Sequence, residues 1–209
     1  MPRVWVIRGG EKNRLVDDFV DNGVIGVGYF AVPDGSTLTP SEVYELLMAE
    51  GTSGIPVRHA SMFVHFVRTM TEGDVVLMPD TPRGDVVVGE IAGPYAYHDH
   101  LPVERYRHRR PVRWLGRVGV DELPRGREVL HKQRSTLLEI SFADDILALA
   151  QRVRSGALGR PPERRSRRRG AYVRPGVVGG RAERVCPGCG LLKPVSQFGD
   201  GGERCVDCD

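Results

Sequence analysis

The placement of the cysteines constrains the fold more than any other feature of this chain. All four lie in the last 24 of its 209 residues, as the pairs Cys186-x2-Cys189 and Cys205-x2-Cys208 with 15 residues between them. This spacing is typical of a zinc ribbon or knuckle, in which two turns bring four thiolates around one ion. Two disulfides or unpaired thiols are the alternatives, and a cytoplasmic setting disfavours disulfides. We therefore predict a structural Zn²⁺ held by Cys186, Cys189, Cys205 and Cys208.

The tail is too short to fold on hydrophobic burial alone, so metal binding would supply its folding free energy. Four thiolates leave no open coordination position, and the predicted site is therefore structural and not catalytic.

Charge is distributed unevenly along the chain, although the net charge is only +3. Between Arg152 and Arg184 there are 11 arginines and two glutamates. Such a basic stretch indicates a polyanionic partner, most often nucleic acid. A solvated linker in a protein from a GC-rich genome explains it equally well. On the first interpretation, the contacts come from Arg165, Arg167, Arg168 and Arg169.

Hydrophobic periodicity divides the chain into a body and two smaller parts. Apolar, β-branched runs such as Arg3–Arg8 indicate strands, whereas the spacing of Leu15, Val16, Phe19 and Val20 indicates a helix. Strands with interspersed helices and no regular βαβ alternation predict an α+β domain, built round a curved sheet or small β-barrel, over residues 1–154. Residues 155–184, rich in Gly, Pro and Arg, are predicted to be a disordered linker, and residues 185–209 form the four-cysteine tail.

Local signals mark two helix ends and one unusual strand. Thr39-Pro40-Ser41-Glu42 predicts a helix start, with Thr39 as N-cap and Glu42 three residues on. Asn22-Gly23 predicts a helix end. The strand that follows contains Gly26-Val27-Gly28, whose glycines we interpret as points where the strand bends.

Several stretches of the body, in a fixed order, resemble a known family. They are Val4–Gly10, Asp18–Val20 with Gly23–Tyr29, Gly73–Val76, Val88–Tyr95 with Tyr97, and His108–Leu115. Together they resemble the PUA-like, EVE-related domain found at the N-terminus of some Mrr-type restriction proteins, over nearly all of residues 3–142. The resemblance implies a small β-barrel that accepts a flipped, chemically modified base in an aromatic pocket. The family often has Trp at the position of Tyr29, and an Asn-Trp motif in the helix that here reads His59-Ala60-Ser61-Met62-Phe63.

The residues themselves indicate the same kind of site. A base-accepting pocket needs flat apolar faces and a few polar groups for the base edge. Five aromatic side chains lie in or beside predicted strands and are candidates, with core packing as the alternative for each: Trp5, Tyr29, Tyr95, Tyr97 and Trp114. Tyr29 and Tyr97 are favoured because they lie at strand ends, and the hypothesis predicts that both face one cavity.

A basic run beside these aromatics is a candidate phosphate contact. It extends from Tyr106 to Arg113 and contains Arg109, Arg110 and Arg113, whose guanidinium groups could bind phosphates. A charged edge strand that resists aggregation would have the same sequence.

The tail has a resemblance of its own. Cys186-Pro-Gly-Cys189, Lys193-Pro194, Phe198 and Cys205-Val-Asp-Cys208 resemble the four-cysteine fingers that accompany some HNH nucleases. The sequence upstream contains no recognisable HNH arrangement of His and Asn, no Gly-x-Ser-x-Gly and no Asp/Glu-x-Lys continuation after Pro79-Asp80. It therefore resembles the finger without its nuclease.

These features favour a non-enzymatic nucleic-acid-binding protein over an enzyme. We expect it to read a modified base with DNA as the partner, and the resemblance implies a restriction or defence setting. Two alternatives stay open: a nuclease or nuclease subunit of a restriction system, and an adaptor whose zinc finger binds a protein. The N-terminus does not read as a signal peptide, and no apolar run approaches the roughly 20 residues that span a bilayer, which indicates a cytoplasmic protein without membrane contact.

Overall fold

The computed structural model describes residues 2–51, 56–101, 106–126, 128–129 and 135–162, together with the backbone of 183–185 and 192–194. The chain divides into two units, Met1–Arg164 and Arg165–Asp209. The four cysteines and Arg165, Arg167, Arg168 and Arg169 lie outside the described residues. The zinc site and the contacts of these arginines therefore stay predictions.

A seven-stranded mixed sheet organises the first unit. Its strands are β1 (Val4–Ile7), β2 (Val24–Val27), β3 (Val75–Asp80), β4 (Asp85–Ile91), β5 (Ala96–Tyr97), β6 (His108–Gly119) and β7 (Leu137–Glu139). The strand order is β2-β6-β4-β3-β1-β7, and β5 also pairs with β6. Only β1 and β3 run parallel among the paired strands described.

Four α-helices are described in this unit: α1 (Val16–Asn22), α2 (Pro40–Ala49), α3 (Pro56–Val64) and α4 (Ala143–Arg154). The two predicted helix ends are confirmed. Thr39 and Glu42 form a reciprocal capping box at the start of α2, and Gly23 ends α1 with a left-handed φ of 64°. α3 continues into a π-helical turn over His65–Thr69.

The sheet is buried on both faces because its strands alternate apolar side chains between two cores. In β1, Trp5 and Ile7 belong to the core shared with α1, α2 and α3, whereas Val4 and Val6 belong to the core covered by α4. This two-sided burial explains why the strands read as nearly continuous apolar runs in the sequence.

The long strand β6 gives the sheet its curl. Its first residues pair with β2 and its later residues with β4, and a register shift between Val88 and Gly89 marks a bulge that increases the local twist. Within the described residues no ladder joins β2 to β7, the two ends of the strand order. The predicted α+β class is confirmed, and the sheet is a curled half-barrel.

Residues 155–162, the described part of the predicted linker, continue the first unit. The backbones of Arg117 and Arg160 exchange two hydrogen bonds of 2.8 and 2.9 Å, and Leu158 packs against the core under α4. The guanidinium of Arg160 also lies 2.6 Å from the carboxylate of Asp85.

In the second unit, the backbone of β8 (Glu183–Val185) pairs antiparallel with β9 (Leu192–Pro194). Across the described part of the chain, no helix has the length and apolar character that crossing a membrane requires.

Candidate functional site

A cavity of about 230 Å³ opens at one rim of the half-barrel. Four of its wall residues lie at strand ends: Arg8 after β1, Tyr29 after β2, Tyr106 before β6 and Thr136 before β7. These ends meet because β7 runs antiparallel to β1, and β6 runs antiparallel to β2. The cavity therefore lies where the two ends of the strand order approach each other.

The volume of the cavity limits what it can hold. A cavity of roughly 150 Å³ accommodates benzene, whereas pockets for drug-sized ligands span about 300–1,000 Å³. The rim cavity, at about 230 Å³, has the size for one planar ring system. Its remaining wall includes Gly28, Glu50 and His59.

Tyr29 is the most unusual residue of this wall. Its side chain is only 6% exposed and packs edge-on against Phe63, with ring centroids 5.4 Å apart, and against His59 at 6.0 Å. Its buried hydroxyl has no hydrogen-bond partner among the described residues. The Thr136 side chain lies close enough to lower the pKa of Tyr29 as a hydrogen-bonding group, but the two side chains do not form a hydrogen bond of normal distance and angle.

Burial raises the pKa of Tyr29 to about 12, against smaller opposing effects of Thr136, Arg58 and Arg8. The phenol therefore stays protonated at physiological pH and is a hydrogen-bond donor on the cavity wall. An unsatisfied buried polar group costs about 1–3 kcal/mol, so a ligand that paired with this hydroxyl would recover that cost.

Tyr106 supplies a second ring to the wall. This ring lies against the end of β2, where a Cβ added to Gly28 would come within 2.6 Å of Tyr106 Cε1. A Cβ added to Gly26 would lie 3.2 Å from Tyr106 Cβ. Gly26 in β2 and Gly28 after it therefore make room for Tyr106, a close approach that the sequence did not indicate.

The backbone of Tyr106 is itself strained, with a positive φ of 58°. A non-glycine residue in this region costs on the order of 1–3 kcal/mol and persists only where its surroundings fix it. Burial raises the pKa of Tyr106, and the nearby Arg14 and Arg8 partly oppose this rise.

A buried histidine holds the loop that carries Tyr29. His108 Nε2 lies 3.0 Å from the carbonyl oxygens of both Tyr29 and Val32, and its Nδ1 lies 2.9 Å from the hydroxyl of Tyr95. Two carbonyl acceptors at Nε2 require the proton on that nitrogen, so Nδ1 accepts from the Tyr95 hydroxyl. That hydroxyl in turn accepts from the Gly35 amide at 3.1 Å. Desolvation lowers the pKa of His108, which favours this neutral form.

Three arginines lie at or near the cavity. Arg8 lines it, and the charges of Arg58 and Arg14 act on Tyr29 and Tyr106 respectively. Arg58 also donates a hydrogen bond to the Ser135 hydroxyl. The site thus combines two aromatic rings, a buried donor and several positive charges, together with the carboxylates of Glu11 and Glu50 on the same wall.

The tryptophans predicted for the site lie elsewhere in the core. Trp5 is 1% exposed, and its indole donates to Asp74 at 2.9 Å. Trp114 is half-buried over Gly89, and its indole donates to the Phe19 carbonyl at 3.1 Å. Neither lines the rim cavity.

Of the predicted tyrosines, only Tyr29 lines the rim cavity. Tyr95 is bonded to His108, and the ring of Tyr97 lies 5.0 Å from that of His108. Tyr29 and Tyr97 therefore do not share this cavity, and Tyr106 occupies the position beside Tyr29 that the hypothesis gave to Tyr97.

The three arginines of the β6 run have different surroundings. The Arg110 guanidinium is buried and donates to the carbonyls of Phe66, Val67 and Gly93, where it caps the π-helical turn. Arg109 is also buried and donates to the Tyr106 carbonyl at 2.9 Å. Arg113 is exposed and is paired with Glu90. Phosphate contact by these residues stays a prediction, and none of them lines the rim cavity.

Tyr106, His59 and Arg8 were not among the residues selected from the sequence. Tyr106 is the first residue of the basic run whose arginines were candidate phosphate contacts. His59 lies in the helix where the resembling family often carries Asn-Trp. The available signals were the positions of Tyr106 and His59 in these two motifs and of Arg8 in the resembling stretch Val4–Gly10.

A second cavity, of about 470 Å³, lies between α3 and β7 and is lined by residues that include Trp5, Val57 and Leu138. Among the described residues, the buried side-chain polar atoms without a hydrogen-bond partner are Asp18 Oδ2, which lies 3.8 Å from the Arg109 guanidinium, and the Tyr29 hydroxyl. Neither residue lines this second cavity, so the rim cavity is the better candidate site.

Fold and site together define a class of α+β half-barrel domain with an aromatic cavity at one rim. A family model described as "Domain of unknown function (DUF8426)" matches residues 5–134, and the chain belongs to this family. The family model does not bear on the PUA-like, EVE-related or Mrr resemblance, which stays a prediction.

Two solved structures are similar to this chain at low identity. One is the YTH domain of the Zygosaccharomyces rouxii MRB1 protein in complex with N6-methyladenosine RNA, with 14% identity, a TM-score of 0.39, and coverage of 78% of this chain and 90% of that one. The other is Rpa0253 from Rhodopseudomonas palustris, with 13% identity, a TM-score of 0.38, and coverage of 71% and 91%. No curated protein matches the chain. These similarities are too low to support an argument about function.

Proposed function

We propose that the first unit binds one nucleobase of a nucleic acid in the rim cavity and distinguishes a modified base from an unmodified one, without catalysing a reaction. The observation that carries this proposal is the Tyr29 hydroxyl, which is buried on the cavity wall with no hydrogen-bond partner among the described residues. Buried polar groups are nearly always paired, so an unpaired donor at a cavity wall indicates a ligand that completes it.

The character of the wall favours a nucleobase. Tyr29 and Tyr106 offer aromatic faces and edges to a planar ring, and base pockets combine such contacts with hydrogen bonds to the base edge. The protonated Tyr29 hydroxyl suits a carbonyl or ring-nitrogen acceptor, and the carboxylates of Glu11 and Glu50 suit amino groups.

The surrounding cations favour a base that belongs to a polynucleotide. Arg8, Arg14 and Arg58 lie near the two tyrosines, and arginine beside a base pocket typically contacts phosphate. A small cavity is also sensitive to one added methyl group, which is worth about 1–3 kcal/mol in an apolar pocket. DNA as the polymer, and restriction or defence as the setting, are supported only by the resemblance of the sequence.

The test removes the Tyr29 hydroxyl by the substitution Tyr29→Phe. Fluorescence anisotropy of the full chain would use labelled single-stranded and duplex oligonucleotides, in DNA and in RNA, each with a central cytosine, 5-methylcytosine, adenine or N6-methyladenine. We expect one modified oligonucleotide to bind more tightly than its unmodified counterpart. Tyr29→Phe should weaken that binding about tenfold, the effect of losing one hydrogen bond of about 1.4 kcal/mol.

The same substitution should leave the free protein as stable as the wild type, or more stable, because the deleted hydroxyl forms no hydrogen bond within the part of the chain that the structure describes. Tyr44→Phe removes the hydroxyl of an exposed tyrosine on α2 and is the matched control. Equal binding of all oligonucleotides, or equal affinity of wild type and Tyr29→Phe, would contradict the proposal.

A further inference from the structure

An exposed aromatic side chain lies beside the rim cavity. Phe30 follows Tyr29 directly, yet its side chain is 50% exposed, whereas that of Tyr29 is buried. Its ring lies 5.6 Å from the ring of Tyr106, and its Cζ would lie 3.1 Å from a Cβ added to Gly28. Phe30 therefore packs on two residues of the cavity wall and presents half of its surface to solvent.

Removing the surface of a phenylalanine ring from water is favourable. A half-exposed ring lacks part of this stabilisation in the free protein and would gain it when a ligand covers the ring. Its neighbours hold this ring in place from one side, so that it offers a flat face without a large loss of side-chain entropy on binding. Base–aromatic stacking tolerates any base because every base has a π-face.

We propose that Phe30 stacks on the nucleotide next to the base held in the cavity, so that the ligand is an unpaired segment of a polynucleotide and not a free nucleotide. This inference rests on the proposed function of the rim cavity. The rings of Tyr106 and Phe30 lie 5.6 Å apart and are tilted by 60° to each other, so bases that lie against these two neighbouring rings would be adjacent nucleotides that are not stacked on each other.

The charge beside these rings fits the link between two nucleotides. Arg14 is exposed and close enough to Tyr106 to act on its hydroxyl. A phosphate that joins the two bases would carry one negative charge into this region, where an arginine can contact it.

The experiment compares three ligands that share the base preferred by the wild type: the mononucleotide, a trinucleotide with that base at its centre, and a single-stranded 9-mer. Phe30→Ala in the full chain should weaken binding of the trinucleotide and the 9-mer about tenfold, as expected for one lost base–aromatic stack, and should leave the mononucleotide within about twofold. Tyr44→Ala removes a comparably exposed aromatic ring from α2 and should change none of the three affinities.

The two proposals fail in different ways. If Tyr29→Phe weakens binding of all three ligands but Phe30→Ala affects none, the stacking role of Phe30 is wrong and the base cavity stands. If Phe30→Ala weakens the mononucleotide as much as the trinucleotide, Phe30 acts through the cavity and the inference is also wrong. If no ligand binds the wild type, both proposals fall.

Discussion

At the scale of single residues, buried polar side chains determine the shape of the cavity wall. His108 fixes the turn after β2 through the carbonyls of Tyr29 and Val32. Arg110 fixes the π-helical turn through the carbonyls of Phe66 and Val67 and also contacts the Gly93 carbonyl after β4. Each would leave buried acceptors unpaired if it were lost, at about 1–3 kcal/mol for each group. These residues support the site without entering it.

His108 makes the stability of the protein depend on pH. Desolvation lowers its pKa in the folded state, so the unfolded chain, with a pKa of about 6.5, binds the proton first as the pH falls. The hydrogen bonds to Tyr29 and Val32 oppose this effect, as does Asp34, whereas Arg107 adds to it. The stabilisation is complete above about pH 6.5 and is lost below it, by at most about 1.4 kcal/mol per pH unit for one proton.

His59 and His98 also have lowered pKa values, so the measurement uses a variant without them, His59→Gln/His98→Gln. Urea unfolding of this variant between pH 7.5 and 5.5 should still show stability falling below about pH 6.5. Long-range ¹H–¹⁵N NMR should find His108 neutral with its proton on Nε2. An imidazolium at His108 above pH 6.5 in the folded protein would refute this assignment.

At the scale of elements, the sequence predicted what local chemistry determines. The capping box of α2, the glycine that ends α1 and the apolar runs of β3 and β4 each depend on neighbours a few residues apart. The cavity depends on the ends of four strands that are distant in sequence, and Arg110 reaches carbonyls 43 and 44 residues away. The spacing of neighbouring residues gives no information about such distant contacts. The sequence therefore indicated Arg110 as a candidate phosphate contact but not as a cap of the π-helical turn.

The fit between β2 and Tyr106 can be tested by a double-mutant cycle. Gly28 has no positive φ that would exclude alanine, and the Cβ of Gly28→Ala would meet the Tyr106 ring at 2.6 Å. We expect this variant to lose about 1–3 kcal/mol of unfolding free energy through overpacking. In a Tyr106→Ala background the same substitution should cost less than about 0.5 kcal/mol, because the Tyr106 contact is gone and the half-exposed Phe30 ring, at 3.1 Å from the new Cβ, can move away.

Urea unfolding of the wild type, the two single variants and the double variant gives the coupling energy. Gly84→Ala is not a suitable control, because its cost would come from a left-handed φ of 67° instead of a contact. Equal costs of Gly28→Ala in the two backgrounds would show that Tyr106 does not require the glycine.

At the scale of the whole molecule, the chain combines a net acidic remainder with a strongly basic segment between Arg152 and Arg184. Binding one base in a cavity is a short-range interaction, whereas arginine–phosphate contacts weaken steeply with salt. A titration of binding affinity against salt concentration therefore separates the contribution of the cavity from that of the arginines. The zinc site of the four-cysteine tail stays a prediction from the spacing of its cysteines.

The substitutions Arg165→Gln, Arg167→Gln, Arg168→Gln and Arg169→Gln, made together in the full chain, should reduce the slope of log Kd against log salt concentration for a single-stranded oligonucleotide. If all four contact phosphates, the slope should fall by about 3, since each contact contributes about 0.7 for single strands. Tyr29→Phe should instead raise Kd by the same factor at every salt concentration, because it removes a hydrogen bond and no ion pair. Arg125→Gln, at an exposed arginine paired with Glu128, is the control for a single lost charge. An unchanged slope in the fourfold variant would show that this arginine cluster is a solvated linker and that phosphate contacts come from the first unit alone.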